Sequence, residues 1–390
     1  MEDCIVNILF LMGVYPNYGG VEKVSTILAN AFIEKGYGVG IVSFEHPHPE
    51  LAERELSKYV SLYSLDYPVY SKANVHKLHQ IITDNKYDII INQWCVPFYV
   101  ARLCYKAMKG THCKMVSVHH NKPDTNARIQ DLEIKIENGE HAILNRIKLA
   151  AVKLVSRASL RYTYGKSYEY IVLSPSFIDV AKRFMFINHS SKISSLSNPL
   201  TIEEAKDDVL HHKQKIVVCV GRIEYNQKRT FRVARIWKHI EKNHPDWKLV
   251  FVGDGPNRKD LENLCSELEL KNVKISGFVN PVPYYKSASI LIMASQYEGL
   301  PLVIVESQSY GVVPVVLGSY EAVYDIITTG ENGIISEMPY NENGMVKDLD
   351  CLMADEAKLK VMAEKSIVNT KRYSLPAIVE EWENLFKAVN

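Results

Sequence analysis

The segment ILIMASQYEGLPLVIVE, residues 290–306, decides how the rest of the chain is read. Its first five residues, Ile290 to Ala294, are apolar without polar alternation, as in a strand buried on both faces of a parallel sheet. Gly299 and Pro301 then sit where a loop passes into a helix, and Val303–Tyr310 continues as a helical pattern. A buried strand, a glycine-bearing loop and a helix form one unit of an open α/β sheet. Such sheets bind ligands beyond the carboxyl ends of their strands, so this loop is the first candidate site. Free amides near Gly299 suit phosphate oxygens. Glu298 precedes the helix, where it can face a sugar, and Glu306 lies about one turn inside, within reach of a ribose. A carboxylate beside phosphates is costly unless it accepts hydrogen bonds from hydroxyls.

Working outward, the same pattern runs in both directions. Val313–Leu317 follows, and Val273–Ser276, Lys248–Val252 and Ile216–Val220 precede, with helical patterns at Thr230–Asn243 and Arg258–Leu268. An earlier set comprises Ile5–Met12, Val39–Phe44, Asp88–Asn92, Met115–Val118 and Tyr170–Ser174, with helical patterns at Val21–Lys35, Asn74–Asn85 and Phe98–Lys109. Strand and helix in alternation give a doubly wound parallel sheet, and two sets give two Rossmann-like α/β domains. The turn signal Ser197-Asn198-Pro199, followed by a polar stretch over 203–215, places the boundary after residue 197. The halves share an architecture and no repeated motif.

Composition narrows the function classes. The 390 residues suit two domains, and 47% hydrophobic with 23% charged side chains excludes a disordered chain. Lys and Arg number 46 against 45 Asp and Glu, which excludes a global basic field for nucleic acid. Cys4, Cys95, Cys104, Cys113, Cys219, Cys265 and Cys351 are scattered without a CxxC pair, so reduced thiols and a cytoplasmic location are expected and no zinc cassette is read. No segment approaches the ~18 apolar residues of a membrane span. The run from Ile5 is short and follows Glu2 and Asp3, so it reads as a first strand rather than a signal peptide.

Other strand ends carry weaker signals. Tyr18-Gly19-Gly20-Val21-Glu22 opens a helix where backbone amides can approach an anion; a tight turn explains the glycines equally, and the spacing is not the dinucleotide fingerprint. His119 and His120 follow the Met115–Val118 run. Adjacent side chains on an extended chain point opposite ways, so at most one of the two faces a ligand. Gly221-Arg222 and Lys228-Arg229 form a basic set suited to a diphosphate, or else a solvated loop. Gly253-Asp254-Gly255-Pro256 is a tight turn, and at Gly277-Phe278 the backbone can approach a base edge.

Three features stand apart. Residues 126–164 read as mostly helical, and between His141 and Tyr170 lie Arg146, Lys148, Lys153, Arg157, Arg161 and Lys166 against Glu169. Ile143, Leu144, Ile147, Ala150, Ala151, Leu154 and Val155 recur there at helical spacing. Residues 143–161 either make peripheral contact with an anionic membrane or form a surface helix with its apolar stripe on the core, the simpler expectation. Trp94, Phe98 and Tyr99 either floor a sugar site or fill the core, the latter preferred. Asp348-Leu349-Asp350 mimics a D-x-D metal motif in a polar helical stretch and reads as coincidence.

Glu298 and Glu306, with seven residues between them inside EGLPLVIVE, resemble the E-x7-E motif of the family 4 retaining glycosyltransferases. The resemblance continues through GGVEK, VSVHHN, SNP, GRIEYNQKR, VGDGP, SGFV, and GVVPVV followed by GENGIIS, in order over nearly the whole chain. It implies the GT-B fold, two Rossmann-like doubly wound domains facing across a cleft. Residues 1–197 would bind the acceptor and 198–373 a nucleotide-diphospho-sugar. A last helix, 374–390, would pack back on the first domain through Trp382, Leu385 and Phe386.

The resemblance also assigns residues. Arg222 and Lys228 would neutralise the donor diphosphate, Glu306 would hold the ribose hydroxyls and Glu298 the sugar hydroxyls. The backbone from Gly299 through Leu300 and Pro301 to Leu302 would add phosphate contacts, and Gly277 and Phe278 contacts to the base. Gly19 and Gly20 would let the first loop close on the donor. His120, slightly preferred over His119, would contact the transferred sugar. The implied reaction is a same-face substitution assisted by the leaving group, without cofactor or divalent metal. Its donor would be a UDP-sugar for preference, and its acceptor a sugar or lipid-linked glycan in surface polysaccharide synthesis. Arg229 departs from the family, which commonly has glycine after the lysine; a looser turn or an added phosphate contact would follow. Two other classes remain open, a nucleotide-sugar-binding protein without transfer and a nucleotide-sugar epimerase or phosphorylase on the same fold.

Overall fold

A computed structural model of the protein describes residues 6–188, 191–203, 205 and 208–389. Glu2, Asp3, Cys4 and Ile5, part of the polar stretch 203–215 and Asn390 lie outside the described residues. The chain forms two compact units, residues 1–201 with 375–390, and residues 202–374. The division falls at Thr201/Ile202, a few residues beyond the Asn198-Pro199 turn.

The first unit holds a seven-stranded parallel sheet: β1 (Asn7–Leu11), β2 (Gly38–Ser43), β3 (Ser61–Ser64), β4 (Ile89–Asn92), β5 (Lys114–His119), β6 (Glu169–Val172) and β7 (Ile193–Ser195). Their order is β3-β2-β1-β4-β5-β6-β7. The second holds β8 (Ile216–Val220), β9 (Lys248–Val252), β10 (Val273–Ile275), β11 (Ile290–Met293), β12 (Val313–Leu317) and β13 (Ile334–Ser336), ordered β10-β9-β8-β11-β12-β13. Both sheets are doubly wound. The strand order reverses between β1 and β4 and between β8 and β11, where side chains after the strands are left uncovered by a crossover.

The central strands are the apolar runs of the sequence. The unanticipated strands β3, β7 and β13 are all sheet edges. An edge strand has one neighbour and less cover, so it needs no apolar run; three of the four residues of β3 are exposed.

The helix Leu375–Val389 belongs to the first unit and packs on the helix Gly20–Glu34. Phe32 meets Phe386 at 5.2 Å and Trp382 at 6.3 Å between ring centroids. Trp382 and Phe386 are buried, whereas Leu385 is half-buried.

Two sequence expectations are overturned. The 126–164 segment is two helices, Ala127–Glu137 and Ala142–Lys166, broken by a left-handed His141. The apolar stripe of the second does not face the core: Ile143, Leu144, Ile147, Leu154 and Val155 are all exposed. The helix buries Asn145, Leu160 and Thr163 instead, because the Ala127–Glu137 and Phe98–Ala107 helices pack on its other side. Phe98 and Tyr99 are likewise exposed rather than core, and Trp94 is half-buried. The Phe98 N–H donates to Ser159 Oγ at 2.8 Å, which ties the start of its helix to the helix Ala142–Lys166.

Candidate active site

In the second unit the loops after β8, β9 and β10 close on one another through glycine. Gly253 has φ 145°, and a Cβ there would stand 2.0 Å from the Gly221 carbonyl oxygen. Its N–H donates to the Gly277 carbonyl at 2.9 Å. Any side chain would force these loops apart.

The loop after β8 is then tied to the loop after β11. Gln296 N–H donates to the Gln227 carbonyl at 2.7 Å. Lys228 Nζ donates to Glu298 Oε1 at 2.8 Å, and Gln227 Nε2 donates to Glu298 Oε2 at 3.1 Å, so both carboxylate oxygens have a donor. The Glu298 side chain is 7% exposed and that of Lys228 19%. At such burial an ion pair stands only with well-placed bonds, and the Gln227 amide supplies one. Tyr320, fully buried near Glu298, has a hydroxyl without a partner among the described residues, and burial raises its pKa well above the ordinary value. It therefore stays a hydrogen-bond donor.

Glu306 sits inside the helix Leu302–Ser309, behind Pro301 at its N-cap position. It is buried, and Tyr285 Oη donates to its Oε2 at 3.2 Å. Burial holds the Tyr285 hydroxyl protonated. Arg222, in contrast, is 67% exposed, with Glu224 at 3.6 Å as its ion-pair partner. Phe278 is exposed on the loop after β10.

Arg229 has φ 51°, the left-handed conformation that glycine adopts without cost. The expected looser turn is therefore absent: arginine adopts the glycine geometry under strain. Arg229→Gly is expected to stabilise the fold by about 0.5–1 kcal/mol, read as a higher urea midpoint at unchanged m, after the larger entropy loss of glycine is subtracted. A destabilised variant would mean that bonding by the guanidinium outweighs the strain.

In the first unit His119 is 2% exposed, and its Nδ1 shares a hydrogen bond of 2.6 Å with Tyr170 Oη. His120 is half-buried, and its Nε2 bonds to Gln93 Oε1. That oxygen only accepts, so Nε2 carries the proton and Nδ1 is a bare acceptor, unpartnered among the described residues. Burial lowers the His119 pKa to about 4, and burial together with His119 lowers that of His120 to about 3. Both imidazoles are neutral at physiological pH. Beside Gln93 lies a cavity of about 340 Å³ lined by Glu22, Glu45, Tyr67, Gln93 and Trp94. Gly19 caps the helix Gly20–Glu34, and the Glu22 carboxylate covers it, so this helix end is occupied by its own acid.

Residues 18–204 match the family model for glycosyltransferase family 4, and residues 201–368 that for the group 1 glycosyl transferases. The chain belongs to this glycosyltransferase family. This group 1 glycosyltransferase is 25% identical over 383 residues to an uncharacterized glycosyltransferase of Haemophilus influenzae, covering 96% of this chain and 98% of the relative. It is 25% identical over 375 residues to the Campylobacter jejuni GalNAc-alpha-(1->4)-GalNAc-alpha-(1->3)-diNAcBac-PP-undecaprenol alpha-1,4-N-acetyl-D-galactosaminyltransferase, covering 96% of each chain. Among solved structures, a Staphylococcus aureus TarM mutant in complex with fondaparinux, alpha-GlcNAc-glycerol and UDP superposes with a TM-score of 0.73 at 15% identity, over 98% of this chain and all of that one. The fold is GT-B.

In this glycosyltransferase the sequence-derived residues fall into distinct places. Lys228 and Glu298 are brought into contact, Glu306 lies on the same loop–helix unit, and Arg222 reaches into solvent. Gln227, Tyr285, Tyr320 and Gln93 were not anticipated. Gln227 was within sight, next to Lys228 inside the motif; the others have no local signature. The D-x-D pair is structural: Ser336 Oγ donates to Asp348 at 2.6 Å, and His244 bonds Asp350 at 2.8 Å. Among the described residues no cluster of three or more His, Cys, Asp or Glu side chains is placed to hold a metal ion, and no helix is long and apolar enough to cross a membrane.

Proposed function

We propose that this enzyme moves a hexose-type sugar from a UDP-sugar to a lipid-linked glycan, with retention of configuration and without a divalent metal, during surface polysaccharide synthesis at the cytoplasmic face of a membrane. The observation that carries this reading is the buried Lys228–Glu298–Gln227 cluster beyond β8 and β11, with Glu306 on the adjoining helix. Lys228 offers its ammonium to the diphosphate whose negative charge grows as the glycosidic bond breaks, and the exposed Arg222 swings onto the same phosphates. Two side-chain cations and the amides at the helix start do the work that a metal does elsewhere. Glu298 accepts from sugar hydroxyls and Glu306 from the ribose, each of which supplies donors to a carboxylate otherwise costly to bury. Gly277 and Phe278 offer backbone to the base, which reads no base strongly; UDP is preferred because the TarM complex holds UDP. The lipid-linked acceptor is drawn from the Campylobacter jejuni relative's name.

In the first unit the aromatic residues Trp94 and Tyr67 and the polar residues Glu22, Glu45 and Gln93 line one cavity, a composition suited to an acceptor sugar. His120, neutral, accepts a sugar hydroxyl at Nδ1.

A thermal-shift series with UDP, GDP, ADP and their sugars tests the donor site. UDP at about a hundredfold above its Kd is expected to raise the midpoint by several degrees, unchanged by magnesium. A response to GDP or ADP alone would reassign the base, a magnesium-dependent response would overturn the metal-free reading, and no response to any nucleotide would remove the donor site.

A further inference from the structure

The helix Ala142–Lys166 turns its apolar residues toward solvent. At about 100° per residue, Ile143, Ile147 and Leu154 share one face, opposite the buried Asn145 and Thr163. They are 77%, 63% and 61% exposed, and Leu144 and Val155 at the margin are 51% and 69% exposed. Continuous apolar exposure over four turns is costly in water and is kept where another medium covers it.

The charges say which medium. The helix carries no Asp or Glu. Three of its cations are tied into the fold: Lys153 bonds Glu133 at 2.7 Å, Arg157 the Phe184 carbonyl at 2.7 Å and Arg161 the Met185 carbonyl at 2.7 Å. Arg146 and Lys148 are exposed and flank the apolar face on either side. A second copy of the chain would bring these two cations against the same two cations with no carboxylate on either helix.

We propose that this face docks on an anionic lipid bilayer, the helix lying in the interfacial plane with Ile147 and Leu154 among the acyl chains and Arg146 and Lys148 at the phosphates. The proposal deepens the lipid-linked acceptor reading and rests on it for its purpose, but docking is measured without any sugar transfer. The full chain is sedimented with phosphatidylcholine vesicles, with or without about one third phosphatidylglycerol, at low and high salt. Binding is expected to the anionic vesicles at low salt and to weaken at high salt. Ile147→Asp/Leu154→Asp is expected to abolish it, and Arg146→Gln/Lys148→Gln to reduce it roughly 30-fold. Because these positions are exposed, melting and nucleotide response stay unchanged in both variants. Absence of binding to anionic vesicles, or full binding by the Asp pair, overturns the proposal. A dimer dissolved by the Asp pair assigns the face to a second copy and overturns it too. Failure of the unsubstituted chain to dock, with intact transfer to a soluble acceptor, counts against docking alone, and docking without transfer counts against the enzymatic reading alone.

Discussion

Lys228→Ala is expected to lower kcat/KM for sugar transfer by about a hundred- to a thousandfold, the scale of removing one preorganised electrostatic partner of a transition state. The ammonium is mostly buried and already oriented by Glu298 at 2.8 Å, so it need not reorganise when the diphosphate departs. A stability effect accompanies the kinetic one. Removing the lysine leaves the Glu298 carboxylate, 7% exposed, with the Gln227 amide as its remaining side-chain donor among the described residues, and breaking a buried pair from one side costs up to about 3–5 kcal/mol. The two effects separate in a cycle. Lys228→Met/Glu298→Gln removes both charges at similar volume and is expected to recover much of the melting temperature while transfer stays low. If the double variant recovers transfer as well, or if Lys228→Ala alone keeps full turnover, the ammonium is a structural counter-ion to Glu298 and not a partner of the leaving group.

That cluster shows what a sequence can and cannot disclose. Glu298 and Lys228 were both legible, each from its own loop motif, because strand ends in open α/β sheets are where ligands bind. Their contact was not, since it joins positions 70 residues apart. Central strands were legible as apolar runs because parallel strands are covered on both faces, while β3 and β13 lacked that cover and that signal. The Ala142–Lys166 helix marks a different limit. Periodicity correctly gave an apolar face at Ile143, Ile147 and Leu154, but a moment has no sign for the medium that receives it, and the core was the wrong choice. Arg229 shows the converse, a residue type that argued for a loosened turn while the backbone kept the left-handed geometry.

Acidification is expected to destabilise this protein well above the carboxylate range, through His119. Its pKa is about 4 in the fold because burial disfavours the charged ring, against the ordinary 6.5. Above pH 6.5 neither folded nor unfolded chain protonates it, and the residue contributes no pH dependence. As pH falls below 6.5 the unfolded chain takes up a proton that the folded one refuses until about pH 4, so stability falls with pH across that window. The loss amounts to about 3 kcal/mol for a shift of this size. His119→Gln removes the titration, so the difference in urea midpoint between pH 7 and pH 4.5 is expected to shrink in the variant; equal differences would place the acid sensitivity elsewhere. The same burial bears on catalysis. With both rings neutral down to about pH 4, His120 offers Nδ1 as a hydrogen-bond acceptor at every pH where the enzyme is stable and cannot act by switching charge near neutrality. The kcat/KM profile is therefore expected to lack a histidine ionisation between about pH 5 and 8. A limb with a midpoint near 6.5 that disappears in His120→Asn would show instead that the ring titrates with substrate, and that its burial is relieved on the way to the active complex.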